Sequence, residues 1–279
     1  MSCFVRRGVT SPNAPPPRLS SPQLIGESLA TARRHAGAFL RLALLPMVIY
    51  YPLHRLPDIF DLGEEMRFAA VVLASLVLLV YTVGCHRVVL FEKDPAAPPP
   101  ALGLGAREAR FFGYTLLIGL ATMPLALIFV GLAQVTGWTA DPLNSAEAAP
   151  VTPGSGVLLM ALFFLLLIMS LRLSLTLPAV AKDSPEGIAV NFLRSWRATA
   201  GSGLALLVTV VLALFSVFFL TGMAAGLLGS LGLIALDLET KTMSGPAVIL
   251  LNMALEFTVS ALMASVLSTA YMVLMEAKR

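Results

Sequence analysis

Six long apolar runs divide the chain, at about 37–53, 68–88, 111–136, 156–181, 204–232 and 247–274, and nearly all of its charge falls between them. A helix of about 20 apolar residues, rising ~1.5 Å per residue, crosses the ~30 Å hydrocarbon core of a bilayer. The pattern predicts an all-α polytopic membrane protein with six transmembrane helices. The first run is the weakest, because Arg41 and Pro46 interrupt it.

Charge placement supports six spans and orients them. Counting with six, the segment through Arg41 carries six Lys/Arg and the 87–110 connection carries Arg87, Lys93, Arg107 and Arg110. The 172–200 region adds Arg172, Lys182, Arg194 and Arg197, and the C-terminal residues add Lys278 and Arg279. Only Arg55, Arg67 and Lys241 fall on the other side, whose loops hold Asp58, Asp61, Glu64, Glu65, Asp141 and Glu147. By the positive-inside rule both termini are expected in the cytoplasm, as in a multi-pass protein of a bacterial inner membrane. Tyr50, Tyr51 and Trp138 outside, and Trp196 and Tyr271 inside, are expected as interfacial anchors.

Composition agrees with this picture. Of 279 residues, 57% are hydrophobic and 13% charged, and the mean hydropathy is +0.85. Soluble domains carry about 25% charged residues. The net charge of +3 and pI near 9.1 are therefore read as membrane orientation, with no nucleic-acid partner. Residues 1–20, Pro-rich and basic without an apolar core, are expected to form a disordered tail rather than a signal peptide. Residues 21–279 are then a single membrane domain. Cys3 and Cys85 define neither a disulfide framework nor a metal site.

Three similar segments lead into the odd-numbered spans: SPQLIGESLATARRHAGAFL (21–40), PALGLGAREARFFGYTLL (100–117) and SPEGIAVNFLRSWRATAGSGLALL (184–207). Their glycines Gly26, Gly103 and Gly187 are spaced 77 and then 84 residues apart. The chain is read as a threefold internal repeat of interfacial helix, span and span. In the third copy Ser184 is the expected N-cap and Pro185 the first helical residue. Ile188, Phe192 and Trp196 share one helical face there, expected in the acyl boundary, with Arg194 and Arg197 toward anionic headgroups. The matching segments at 21–36 and 100–110 bring Arg33, Arg34, Arg107 and Arg110 to the same cytoplasmic collar.

The stretches HRVVLFEKDP (86–95), LRLSLTLPAVAKDSP (171–185) and SWRATAG (195–201) resemble the YciC-like bacterial inner-membrane proteins, over roughly residues 20–275. These are six-span chains related to the membrane domain of some glycerophosphodiester phosphodiesterases. The resemblance implies the same architecture and carries no catalytic residues. An attached phosphodiesterase domain is not expected, since the spans use up the length.

Two charges fall deep inside the spans, where ionisable groups mark function or pairing. Arg172 and Glu256 each lie about ten residues from their own face, so both are expected near mid-membrane as a pair. That pair is either structural or part of a proton- or solute-coupled site. Arg87 is expected to snorkel to the inner surface. Gly222, Gly226 and Gly229 form a small-residue stripe that suits helix packing within the bundle, or a homodimer contact. His86 beside Cys85 points away from it on a helix, and His35 and His54 fall on opposite sides. Gly103–Leu104–Gly105 follows a Pro-rich linker rather than a strand, so a dinucleotide reading fails. No catalytic, cofactor-binding or metal residues are assigned, and an enzyme is not expected. The expected role is non-catalytic: organising envelope lipids, or a membrane-protein partner, through the basic interfacial helices. The alternative is a small-solute or proton-coupled transporter or channel built on Arg172 and Glu256.

Overall fold

In the computed structural model the described residues are 20–60, 63–92, 94, 102–135, 153–183, 187–237, 242–244 and 246–276. The expected disordered tail, the Trp138 anchor, the Ser184–Pro185 helix start, Lys241 and the C-terminal cations lie outside them. Among the described residues there are eight α-helices: α1 (Ser21–Ile59), α2 (Glu64–Leu90), α3 (Ala106–Val135), α4 (Pro153–Ser174), α5 (Thr176–Ala181), α6 (Ile188–Ala198), α7 (Gly203–Ser230) and α8 (Pro246–Tyr271). A π-helical turn, Met272–Glu276, continues α8. Strands β1 (Ala235–Asp237) and β2 (Thr242–Ser244) pair antiparallel between α7 and α8.

Among the described residues six segments are long and apolar enough to cross a membrane: Ser21–Leu56, Glu64–Leu90, Ala106–Gln134, Gly154–Ala181, Gly203–Ser230 and Ala247–Met275. The chain is an all-α, multi-pass membrane protein, and its first span is the least apolar, as its interruptions foretold. Alternation of six spans brings the start of α1, the ends of α2 and α5, the start of α3, all of α6 and the end of α8 to one face. This face is called the basic end below.

Helix α1 departs from expectation. The leading segment and the first span form one helix of 39 residues, about 58 Å long against a ~30 Å core. Nothing between residues 26 and 45 stops it, and the proline at 46 is buried within the helix rather than ending it. Likewise α3 runs unbroken from Ala106 into its span. Only the third leading segment forms a separate helix, because the Thr199–Ser202 turn interrupts it; Gly201 takes φ +81° there, a conformation that favours glycine.

The helix of the fourth span is interrupted before the basic end. Pro178 has no N–H for the Ser174 carbonyl and its ring crowds that turn. The α-helix stops at Ser174, Leu175 relaxes to ψ −9°, and α5 restarts at Thr176. In α5, Thr176 and residues 178–181 are all buried, against α2, α3 and α8.

Helices α1, α2 and α8 pack on one another, α7 lies on α8 and α1, and α3 pairs with α4. One core cluster gathers at the basic end around Leu24, Val83, Phe111, Leu175, Leu206 and Leu274. A second follows α1, α2 and α8 through Phe39, Ala43, Tyr50, Tyr81 and Phe257. Large apolar side chains such as Val48, Phe68, Val157, Phe215 and Leu220 face outward, the surface that hydrocarbon wets. Lipid gives apolar side chains little reason to associate, so polar contacts and close packing hold such bundles together. Here His86, Arg87, Glu108, Asn191, Ser195 and Ser268 are buried, all toward the basic end.

Candidate functional site at the basic end

Helix α6 crosses the end of α4 and is attached by its polar side. Asn191, Ser195 and Ala198 are buried at i, i+4 and i+7. The Asn191 amide donates to Tyr114 Oη at 3.1 Å, and the Ser195 hydroxyl donates to the Arg172 carbonyl. Phe192 also turns inward, its ring 5.4 Å from that of Tyr114. The face left exposed is Val190, Leu193 and Trp196, with Arg197 exposed beside it. This corrects the expected outward face: Trp196 belongs to it, Phe192 does not, and the Ile188 side chain lies outside the described residues. The reason is local. Asn191 and Ser195 both find partners on the bundle, and meeting them rotates the helix by roughly one residue, about 100°.

Arg172 secures the C-terminal end of α6. Its Nε donates to Thr199 Oγ1 at 3.0 Å and its Nη2 to the Trp196 carbonyl at 2.6 Å. Its guanidinium carbon lies 3.7 Å from the centre of the Trp196 ring. The last carbonyls of a helix have no partner within it, and a cation there is doubly favoured. Glu256 is engaged elsewhere, accepting from the Tyr50 hydroxyl. The Tyr50 ring lies 4.4 Å from His54 and 5.6 Å from Phe257. The expected Arg172–Glu256 pair is therefore absent among the described ion pairs. Counting residues from Lys182 assumed a straight span, whereas the break at Leu175 and the docking of α6 place Arg172 beside the end helix. Tyr50 and Tyr271, expected as interfacial anchors, are both buried in the bundle.

Arg87 does not snorkel. Its side chain is only 4% exposed, and Nη1 donates to the Ala181 carbonyl at 3.2 Å and lies 3.5 Å from Asp183 Oδ2. The guanidinium also sits 4.8 Å above the Phe91 ring. The same Asp183 carboxylate accepts from Arg107 Nε at 2.9 Å and from Arg110 Nη2 at 3.0 Å. Glu108 is 3.5 Å from Arg107 and accepts the Gly105 backbone N–H at 3.0 Å. That carboxylate closes the start of α3, as in half a capping box.

Arg34 pairs with Glu92 at 2.6 Å, and His35 Nε2 is 3.3 Å from the same carboxylate. Burial pushes the Glu92 pKa up, but the hydrogen bonds and charges of Arg34 and His35 outweigh it and hold the group below its usual value. Arg33 is exposed. Arg197 and the half-buried Arg194 line an open depression of about 370 Å³ with Val190, Leu193 and Leu274. His86 Nδ1 meets Ser268 Oγ at 2.8 Å.

The glycine stripe does not serve packing within the bundle. Gly222, Gly226 and Gly229 are exposed, and at Gly222 and Gly226 an added Cβ would meet nothing within 4 Å. Sequence reasoning missed Asp183, Glu92, Asn191 and Tyr114. Aspartate is one of the few residues that tolerates the φ of +59° that Asp183 adopts, the only local hint of its special position. Among the described residues no group of three His, Cys, Asp or Glu is placed to hold a metal. Compared with known proteins, the chain matches no family model, no curated protein and no solved structure.

Proposed function

We propose that this chain is a non-catalytic, YciC-like protein of a bacterial inner membrane, with both termini cytoplasmic, whose basic end gathers anionic lipid headgroups. The observation that carries the reading is α6: Val190, Leu193 and Trp196 form an exposed apolar strip with Arg194 and Arg197 beside it. An apolar strip edged by cations suits the boundary between acyl chains and headgroups. Each arginine near an anionic leaflet contributes about 1 kcal/mol. The polar attachment of the opposite face holds that strip in place.

The threefold repeat is part of the proposal, and the packing supports it. The second and third leading segments lie against the second span of the unit before, and the first lies against the second span of the last unit. Helix α6 meets α4 at Arg172. The start of α3 meets α2, with Phe111 5.7 Å from His86. The start of α1 meets α8, where Ser28 and Leu29 line a small cavity with Leu262 and Val266. The solute-transport alternative drew on the Arg172–Glu256 region, and each of these two residues has its partner on a different helix.

The test is charge reversal at Arg194 and Arg197, both to glutamate. Association of the purified protein with vesicles containing phosphatidylglycerol should fall while its unfolding midpoint holds. Unchanged association with a collapsed midpoint would make α6 a structural plug. Orientation is checked separately: a cysteine at exposed Glu65 should label from outside the cell, and a C-terminal fusion should report from inside.

A further inference from the structure

We infer that Arg87, Arg107 and Arg110 form a binding site for a phosphate group, in which the Asp183 carboxylate is a displaceable resident stand-in. The ligand is a phosphate monoester of a lipid headgroup or inorganic phosphate free in solution. The site is separate from α6, and only the lipid as a source of phosphate rests on the proposed function.

Three guanidiniums converge on one carboxylate, and Glu108 is the second anion among them. Cations thus outnumber anions in the cluster. Arg87 is the most informative member. It is 4% exposed, and its Nε has no hydrogen-bond partner among the described residues. A buried guanidinium with an unmet donor is costly, and such groups are nearly always satisfied in folded proteins. A carboxylate offers two oxygens, whereas a phosphate offers three or four in a tetrahedral array that suits the planar fork of arginine.

The backbone adds to the same place. Gly103, Gly105, Arg107, Arg110 and Asp183 line an open depression of about 460 Å³ at the start of the 30-residue helix α3. The first N–H groups of a helix lack intrahelical partners and favour anions. Glu108 occupies only the Gly105 N–H. Asp183 is also suited to leave. It lies two residues past the end of α5, and its side chain is 40% exposed. Exchanging Asp183 for an external phosphate brings more acceptors to the three arginines.

The test uses the full chain in a neutral detergent, with thermal unfolding followed against inorganic phosphate. A parallel series uses phosphatidylcholine nanodiscs with and without phosphatidate. Asp183→Asn, which tolerates the same φ, should tighten apparent binding about tenfold, or about 1.4 kcal/mol. Exposed Arg110→Gln should weaken it by a similar factor. The Arg194→Glu/Arg197→Glu protein should keep the response. Stabilisation by soluble phosphate identifies the free anion, and stabilisation only by phosphatidate identifies a headgroup; either supports the site if Arg110→Gln reduces it. Should Asp183→Asn prove poorly folded, the Arg110→Gln comparison decides alone. The inference is overturned if neither probe stabilises the wild-type chain, or if Arg110→Gln responds as wild type does. Loss of vesicle association on reversing Arg194 and Arg197 reads the α6 proposal independently of either result.

Discussion

Replacing Arg172 with methionine keeps much of the side chain's bulk and removes every polar tie it makes to α6. Two of those ties are hydrogen bonds, to Thr199 Oγ1 at 3.0 Å and to the Trp196 carbonyl at 2.6 Å, and the third is the stack on the Trp196 ring at 3.7 Å. A hydrogen bond to a charged group contributes roughly 1.5–3 kcal/mol, and a cation–π contact about 1 kcal/mol where water reaches it. Arg172 is half-buried and Trp196 is 38% exposed, so the lower ends of these ranges apply, and contributions that share one side chain do not add fully. The expected loss is about 2–3 kcal/mol. Reversible unfolding in mixed micelles, followed by circular dichroism, measures it. A double-mutant cycle with Trp196→Leu should return a coupling of about 1 kcal/mol, assignable to the ring. The matching cycle with Glu256→Gln should be additive within about 0.5 kcal/mol, since the two residues have separate partners. Coupling between Arg172 and Glu256, with none between Arg172 and Trp196, would refute the placement of α6 and restore the mid-membrane pair.

Glu92 predicts an acid-sensitive tie between α1 and α2. Its pKa lies below the ordinary 4.5 in the folded chain, so its contribution is complete above that value and is lost as pH falls through the lowered one. Glu92→Gln should flatten the decline of the unfolding midpoint below about pH 4.5, and an unchanged decline would assign it to other carboxylates. In the membrane interior, Tyr50→Phe removes the donor that Glu256 uses. It should cost about 1–3 kcal/mol, much of it recovered by adding Glu256→Leu. Equal stability of the single and double variants would show that Glu256 has another way to be satisfied.

The six spans were legible because spanning is a local property. An apolar stretch of sufficient length must satisfy its own backbone hydrogen bonds in lipid, and a helix does this without reference to the rest of the chain. The weakness of the first span at Arg41 and Pro46 was equally legible, and the structure keeps it as the least apolar of the six. The third leading segment was recognised as a helix because its period lies within a dozen residues, and α6 spans Ile188–Ala198. Its break before α7 had a visible signal in Gly201, which takes the positive φ that the turn needs.

Which face of that helix is buried was decided by residues far away in sequence. Asn191 and Ser195 point inward because Tyr114 and the Arg172 carbonyl await them. Hydrophobic periodicity treats both as surface residues and cannot anticipate those partners. Arg172 and Glu256 looked alike when counted along their spans, yet the helix of one span is interrupted at Leu175 and the docked α6 captures its arginine. Tyr50 claims the glutamate from α1. Asp183 draws in Arg87, Arg107 and Arg110 from α2 and α3, a convergence that no short motif encodes. Length, hydropathy and charge are written residue by residue, so the number of membrane-crossing helices and the positions of the cations along the chain could be read without the fold. The tertiary structure alone decided which charges meet, because a buried charge takes the partner that helix packing brings within hydrogen-bond reach, whatever its distance along the chain.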